Sequence, residues 1–254
     1  MSTKPNAISA SKIKVNLADA FKIMTNFVKA DVPVNLMGAP GLGKSDVVKQ
    51  VAESLNLKVI DFRLSTADPT DLSGLPFVNG DRSAFLPNEA FPIRGDSIPV
   101  RTDAEGNIIY ELDKEGKPTD KPSYYSGWLL FLDEITNAPM SVQAAAYKII
   151  LDREVGNHKL HSAVKIISAG NNMDDGAAVV AEISTALKSR MAHLNVEFSV
   201  GAWLDWAVAN GVHHSVTSFI KFKPEELYRF DAQADSDTFP CPRTWFMASN
   251  VVHT

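Results

Sequence analysis

Eight residues near the N-terminus have the types and the spacing of a phosphate-binding loop. Positions 38 to 45 read Gly-Ala-Pro-Gly-Leu-Gly-Lys-Ser, which fits the pattern G-x-x-x-x-G-K-[ST]. In such a loop, backbone N–H groups at a helix N-terminus converge on phosphate oxygens. The lysine reaches the β- and γ-phosphates, and the serine hydroxyl joins the Mg²⁺ shell. We therefore predict a nucleotide site with Mg²⁺ at Gly38, Ala39, Pro40, Gly41, Leu42, Gly43, Lys44 and Ser45.

An acidic pair ends an apolar run of strand length. Residues 128–132 read Trp-Leu-Leu-Phe-Leu, and Asp133 and Glu134 follow them. In a parallel sheet, ligands bind at the carboxyl ends of the strands, where the phosphate loop also emerges. Asp133 can then hold Mg²⁺ through water, while Glu134 can orient and deprotonate the water that attacks the γ-phosphate. The alternative is a solvated strand end, but the position downstream of a phosphate loop favours the catalytic interpretation.

A third polar position follows the next apolar run. Asn171 comes directly after Ile-Ile-Ser-Ala-Gly. An amide at the end of that strand can hydrogen-bond the γ-phosphate or the attacking water. A lone asparagine at such a place more often caps a loop, so the residue by itself leaves both interpretations open.

These positions require an α/β framework. Apolar residues recur at helical spacing after Asn16, a candidate N-cap, and again over residues 47–55 and 139–151. The apolar runs between the helices have the length of buried strands, and this alternation is the βαβ order of a parallel sheet with right-handed crossovers. The predicted strands are residues 34–37, 58–62, 128–132, 164–169 and 192–196.

Residues 66–126 interrupt that order. Pro, Gly, Asp and Asn are frequent in this segment, and Asn79-Gly80 is a strong hairpin signal. A second hairpin is predicted to join residues 98–101 to residues 107–112, with a further turn at Glu115-Gly116. A loop-rich insert of this length is usually functional.

The chain is expected to form two domains. Residues 1–200 would be the nucleotide-binding α/β domain with its insert, and residues 201–254 a smaller helical domain. Trp203 and Trp206, three positions apart on a predicted helix of the second domain, are interpreted as packing residues.

The composition excludes several classes of protein. Of 254 residues, 45% are hydrophobic and 22% are charged, which is unlike disordered or fibrous chains. The net charge of −5 gives no bulk attraction to nucleic acid, so nucleic acid is not expected as a partner. The single Cys241 has no metal-ligand spacing around it, and neither a signal peptide nor a membrane-spanning run is visible. We expect a cytoplasmic protein without membrane contact.

Taken together, these motifs resemble those of AAA+ ATPases of the MoxR type, from about residue 14 to residue 250. Residues 38–45 correspond to Walker A and residues 129–134 to Walker B, and Asp133-Glu-Ile-Thr-Asn-Ala-Pro139 is close to the family's next segment. By the same resemblance, Asn171 is sensor 1, Arg190 is the arginine finger and Arg243 is the sensor 2 residue. Ser189 and Met191 depart from the acidic residue and phenylalanine that usually flank the finger.

The resemblance implies a fold, an activity and partners. The fold would be a five-stranded parallel P-loop NTPase sheet with helices on both faces and a small C-terminal helical lid, which is expected to be short after Arg243. The activity would be Mg²⁺-dependent ATP hydrolysis in rings, commonly hexamers, in which Arg190 acts on the neighbouring subunit. Asp68-Pro-Thr-Asp-Leu-Ser-Gly74 resembles the segment before the family's helix-2 insert, a hairpin that points to the pore. The client would be a protein, and the family often works with von Willebrand factor A domain proteins.

Three other functions share the phosphate loop. A nucleic-acid motor or loader has the same ATPase core and would need a basic strip facing nucleic acid. A small-molecule P-loop kinase is disfavoured by Glu134, Asn171 and the two arginines. A nucleotide-gated binding module would release almost no phosphate.

Overall fold

The computed structural model describes residues 13–171, 189–230 and 238–254. The strands in these ranges are β1 (Lys14–Val15), β2 (Val34–Met37), β3 (Leu57–Arg63), β4 (Leu75–Asn79), β5 (Arg82–Leu86), β6 (Tyr110–Leu112), β7 (Pro118–Pro122), β8 (Gly127–Asp133), β9 (Glu154–Val155), β10 (His158–Lys159), β11 (Val164–Gly170) and β12 (Ala192–Val196). The α-helices in the same ranges are α1 (Leu17–Lys29), α2 (Lys44–Ser54), α3 (Pro69–Ser73), α4 (Met140–Asp152), α5 (Val200–Ala209), α6 (His214–Phe222) and α7 (Pro242–Val252).

The central sheet has six parallel strands in the order β1-β12-β2-β11-β8-β3. The predicted α/β class with a parallel sheet is therefore confirmed. The five strands from β12 to β3 are the five predicted from the apolar runs, and β1 adds a short edge strand that was not predicted. The backbone of β12 donates to the Ile13 and Val15 carbonyls at 2.9 and 2.8 Å, from Asn195 and Glu197. Two residues are too few to show a strand period in the sequence.

The sheet is covered on both faces, which explains its continuous apolar strands. All seven residues of β8 are buried, and successive side chains point to opposite faces. Leu129 and Phe131 pack in the core beneath α1 and α2, whereas Leu130 and Leu132 pack in the core beneath α3 and α4. This sandwich holds the carboxyl ends of the strands in fixed positions.

The first two helices begin differently, and the difference matters for the site. Helix α1 starts where the sequence predicts, because Asn16 Oδ1 accepts a hydrogen bond from Asp19 N at 2.9 Å. Helix α2 starts at Lys44 after Gly43, which has a φ of 96° and no side chain to cap the helix. The first N–H groups of α2 therefore remain available to an anion.

The insert contains two separate hairpins. The predicted Asn-Gly hairpin is confirmed: β4 and β5 pair antiparallel from Leu75 opposite Leu86 to Asn79 opposite Arg82. In the second region the longer pairing joins β6 to β7, whereas Thr102 meets Ile108 only as an isolated bridge. The prediction that residues 98–101 pair with residues 107–112 therefore captured a minor contact, and the turn at Glu115-Gly116 forms the main hairpin.

The C-terminal helices enclose a small core of their own. Trp203 is buried in this core with Ile220 and Leu227, and Trp206 packs against Phe246 at a ring distance of 5.7 Å. The tryptophans are thus packing residues, as predicted, although the division at residue 200 itself stays a prediction. Across the ranges that the structure describes, none of the helices has the length and apolar character needed to cross a membrane.

Candidate nucleotide-binding site

The lysine of the phosphate loop is held at the mouth of the loop. Lys44 Nζ donates to the Gly38 carbonyl at 2.6 Å, to the Ala39 carbonyl at 2.8 Å and to Asn171 Oδ1 at 3.1 Å. The residue is only 9% exposed. Phosphate oxygens could take the place of these neutral acceptors and would bind a buried ammonium more strongly, because they carry charge.

The loop itself is tied to the neighbouring strands. Gly38 N donates to the Gly170 carbonyl of β11 at 3.3 Å. A Cβ atom at Gly38 would lie 3.0 Å from the Val196 carbonyl of β12, so the chain passes closely between β11 and β12. The fixed loop and the uncapped start of α2 together form a cradle whose free donors fit phosphate.

Ser45 and Asp133 present two oxygen ligands side by side. Ser45 Oγ donates to Asp133 Oδ2 at 3.1 Å, and Asp133 Oδ1 accepts from Glu134 N at 2.8 Å. Burial raises the pKa of the Asp133 carboxyl, with smaller contributions from the charges of Glu134 and Asp61, while its two hydrogen bonds oppose the shift. A hydroxyl and a carboxylate beside a phosphate cradle are the hard oxygen ligands that Mg²⁺ takes together with phosphate oxygens and water.

Glu134 lies at a sharp turn directly after β8. Its φ is 57°, which lies in the left-handed region that few residues other than glycine adopt, and so the chain leaves the sheet at this residue. Glu134 Oε2 accepts a hydrogen bond from Ser65 Oγ, and Arg63 Nε lies 3.7 Å from Oε1. The carboxylate therefore contacts the adjacent strand rather than the phosphate loop.

Sequence reasoning missed Arg63 and Ser65. Arg63 is the last residue of β3 and is paired in register with Asp133 of β8. Parallel strands that end in register place their following residues close together at one edge of the sheet. The polar residues after the predicted second strand were therefore a usable signal.

Asn171 is joined both to the phosphate loop and to the segment after Glu134. Its side-chain oxygen accepts from Lys44, and its backbone N donates to Thr136 Oγ1 at 2.9 Å. Ile135, the residue before Thr136, also contacts this strand, because its backbone N donates to the Ala169 carbonyl at 2.9 Å. The structure thus brings Lys44, Ser45, Asp133, Glu134 and Asn171 to one edge of the sheet.

The two predicted arginines are placed differently. Arg190 is exposed and precedes β12, whose first residue is aligned with the first residue of β2. It therefore lies at the amino end of the sheet, and four or five residues of strand at ~3.3 Å each separate it from the edge that carries the phosphate loop. Arg243 is exposed in the first turn of α7, near the loop. Within the described ranges, neither arginine side chain forms a hydrogen bond or an ion pair.

The C-terminal segment touches the phosphate loop directly. Tyr228 Oη donates to the Pro40 carbonyl at 3.2 Å. Gly41 has a φ of 76°, and a Cβ atom there would lie 2.8 Å from the sulfur of the buried Cys241. Neither contact was predicted from the sequence, because Cys241 has no metal or disulfide partner to draw attention to it.

Comparisons with known proteins agree with this geometry. The model of the AAA domain family, dynein-related subfamily, matches residues 33–191. This range contains the phosphate loop, Asp133, Glu134, Asn171 and Arg190, but not Arg243. No curated protein sequence matches the chain.

Two solved structures are similar to the chain at low sequence identity. A RuvB variant from Thermotoga maritima has a TM-score of 0.52 and 15% identity, covering 94% of this chain and 63% of the RuvB chain. A protein assigned as an ATPase from Cytophaga hutchinsonii has a TM-score of 0.45 and 13% identity, covering 95% of this chain and 59% of that one. The chain thus spans about six tenths of the length of both, and the likeness to RuvB shows the fold alone.

Proposed function

Because the chain belongs to the AAA domain family, in its dynein-related subfamily, we propose that it binds ATP with Mg²⁺ and hydrolyses the γ-phosphate. The convergence of Lys44, Ser45, Asp133, Glu134 and Asn171 at one edge of the sheet carries this proposal. The same edge supplies a cradle for the phosphates, ligands for a metal ion and a carboxylate that can act as a base. A bare nucleotide-binding module would need only the first two.

Lys44 and a bound metal ion would both neutralise negative charge on the phosphates. Lys44 exchanges its contacts with the Gly38 and Ala39 carbonyls for the β- and γ-phosphate oxygens. Mg²⁺ supplies neutralisation of the charge that develops on the phosphates. Ser45 and Asp133 would hold the ion, Asp133 through water. Burial raises the pKa of Asp133, and a cation at this position would favour the ionised carboxylate.

Glu134 is the proposed base, and Asn171 is the proposed hydrogen-bond donor to the γ-phosphate or to the attacking water. For catalysis the Glu134 carboxylate has to leave Ser65 and Arg63 and orient a water for attack. Asn171 keeps its side chain beside Lys44 and donates its amide N–H to the γ-phosphate or to that water. The left-handed turn at Glu134 is a strained position of the kind found at active sites.

Hydrolysis would depend on assembly. Arg190 lies at the opposite edge of the sheet from its own phosphate loop, so it fits a role at the site of a neighbouring subunit. A guanidinium supplied by a neighbour neutralises the phosphoryl charge in the transition state. We propose a ring, hexameric as in related ATPases of the MoxR type, in which Arg243 contacts the nucleotide from the lid.

The work done by the ring is proposed to be the remodelling or maturation of a protein client. The support is the β4–β5 hairpin, in which Leu75, Phe77 and Leu86 are between 44% and 61% exposed on one face. An exposed apolar strip on a projecting hairpin suits contact with a protein. A von Willebrand factor A domain protein is the proposed class of partner. The net charge of −5 does not favour nucleic acid.

Two substitutions test the division between cradle and base. Lys44→Ala should lose nucleotide binding, whereas Glu134→Gln should bind ATP with Mg²⁺ normally and release phosphate at least ~100-fold more slowly. Binding is measured with a fluorescent ATP analogue and turnover by phosphate release. Near-normal turnover by Glu134→Gln would remove Glu134 from the mechanism, and no turnover by the natural chain in any assembly state would leave only a binding module.

The same two variants test whether the ATPase holds a protein client in its ATP-bound state. Glu134→Gln with ATP should retain the client in a pull-down, and Lys44→Ala serves as the matched control because it cannot fill the site. Capture has to depend on ATP and survive nuclease treatment. Capture that nuclease abolishes would favour the alternative, a nucleic-acid motor or loader.

A further inference from the structure

We infer that Thr136 is a positioning residue that fixes Asn171 in the phosphate site, an inference that rests on the proposed ATPase activity. Thr136 is 2% exposed, and its Oγ1 accepts the backbone N–H of Asn171 at 2.9 Å. Asn171 in turn contacts Lys44 through its side chain. A single hydroxyl thus joins the segment that carries Glu134 to the residue beside the γ-phosphate position.

The backbone brings Thr136 to this place. The left-handed turn at Glu134 directs the chain across the end of β11, and Ile135 N then pairs with the Ala169 carbonyl at 2.9 Å. Thr136 follows and lies against Gly170. A Cβ atom at Gly170 would be 2.8 Å from both Oγ1 and Cγ2 of Thr136, so the hydroxyl approaches Asn171 only because residue 170 is glycine.

The hydroxyl is also oriented. Thr136 Oγ1 donates to Asn137 Oδ1 at 3.2 Å, which turns its lone pairs toward the Asn171 N–H. When the Thr136 hydroxyl is removed, the Asn171 N–H loses the hydrogen bond that sets the direction of its peptide group. Asn171 N and Ile135 N are the two backbone groups that join this segment to the end of β11.

The consequence for hydrolysis follows from geometry. An amide that orients an attacking water or the γ-phosphate loses its effect when it moves by about an ångström, and such a displacement can cost ~100-fold in rate. Nucleotide affinity comes mainly from the loop, Lys44 and the metal ligands, which Thr136 does not touch. Loss of the Thr136 hydroxyl should therefore lower turnover while leaving affinity nearly intact.

The test compares two substitutions at one position. Thr136→Val keeps the shape and removes the hydroxyl, whereas Thr136→Ser keeps the hydroxyl and removes the methyl group. We expect Thr136→Val to lower kcat ~10- to 100-fold with ATP affinity within ~3-fold, and we expect Thr136→Ser to restore most of the lost turnover. Thr25→Val is the control, because it removes a threonine hydroxyl bond, to the Phe21 carbonyl, in a helix away from the site.

Amide hydrogen exchange gives a readout that does not depend on activity. The Asn171 N–H should exchange faster in Thr136→Val than in the natural chain, in Thr136→Ser or in Thr25→Val. If Thr136→Val does not fold, Thr136→Ala removes the hydroxyl without forcing a methyl group against Asn171 N. In Thr136→Ala, as in Thr136→Val, we expect the Asn171 N–H to exchange faster and turnover to fall.

Three results would overturn the inference. They are normal turnover in Thr136→Val or Thr136→Ala, a loss in Thr136→Ser as large as in Thr136→Val, and unchanged Asn171 exchange in the variants without the hydroxyl. Absence of phosphate release from the natural chain would instead overturn the proposed function. In that case Asn171 exchange alone decides whether Thr136 positions Asn171.

Discussion

The Glu134 carboxylate has a partner on each oxygen, and both partners belong to the segment at the end of β3. Ser65 donates to Oε2, and Arg63 lies 3.7 Å from Oε1. Arg63 is largely exposed, so its ion pair with Glu134 is screened by water and contributes little. The Ser65 hydroxyl is therefore the main group that competes with an attacking water for this carboxylate.

Removing that competitor should speed hydrolysis. We expect Ser65→Ala to raise basal turnover about two- to ten-fold, because a net hydrogen bond of ~0.5–1.5 kcal/mol holds Glu134 away from the water. Nucleotide affinity should not change. Phosphate release at saturating ATP measures the effect, and Ser54→Ala is the matched control, because Ser54 Oγ donates within its own helix, to the Val51 carbonyl. A fall in turnover would mean that Ser65 orients Glu134 for catalysis.

Single residues differ in how visible they are in the sequence. Lys44, Ser45, Asp133 and Glu134 stand at motif spacing, so their types and order were enough to predict roles for them. Ser65 and Thr136 are common polar residues whose contacts depend on which strands lie side by side. Ser65 meets Glu134 only because β3 pairs with β8 in register. No local pattern in the sequence encodes that pairing.

At the scale of elements, the insert joins the core at a definite point. Ile98 packs against the core that contains Phe91 and Trp128, so it belongs to the α/β framework. Just beyond it, Val100 bridges Tyr124, and Tyr125 N donates to the Pro99 carbonyl at 3.0 Å. The removable part of the insert therefore lies between Val100 and Tyr124.

We predict that this part is dispensable for the chemistry and needed for the client. Replacing residues 102–122 by a short Gly-Ser linker should leave ATP affinity within a few-fold, because the bridge at Val100 already holds the ends together. The same change in a Glu134→Gln background should abolish capture of the client. ATP binding and a pull-down measure the two effects. A shortened chain that unfolds or fails to bind ATP would show that the insert is part of the core.

Exposed apolar side chains within and just before β6 motivate that prediction. Ile108, Tyr110 and Leu112 are between 41% and 64% exposed. The sequence located the hairpin region from its glycine turns but not its pairing. Asp113 accepts hydrogen bonds from Glu115 N and Lys117 N, which tightens the turn between β6 and β7. The turn between β6 and β7 is therefore the centre of the longer pairing in this region.

At the scale of the whole molecule, the sheet separates the candidate phosphate site from Arg190. Its carboxyl edge carries the phosphate site, and its amino edge carries Arg190. A strand of five residues lies between them, about 16 Å at ~3.3 Å per residue. One chain therefore cannot bring its own Arg190 to its own γ-phosphate without leaving the sheet.

Mixing two inactive variants tests the resulting assembly. Arg190→Ala alone and Glu134→Gln alone should each be nearly inactive, because each removes one half of every site. In mixed rings, some interfaces pair an intact Glu134 with an intact Arg190 from the neighbour, and phosphate release should partly return. Native mass spectrometry confirms that rings are mixed. Confirmed mixed rings with no more activity than either parent would show that Arg190 does not act between subunits.

The strand that carries the phosphate loop, β2, is synthesised well before the two strands that it pairs with. β2 pairs with β11 and β12, not with β3. During synthesis, β2 leaves the ribosome before the strands that it pairs with. It can enter the sheet only after residues 164–170 and 192–196 have also emerged. Pairing over so long a stretch of chain folds slowly and leaves apolar strand edges open to aggregation. The nascent chain must therefore be protected until residues 164–170 and 192–196 have emerged, and it gains its ability to bind nucleotide only after they have paired with β2.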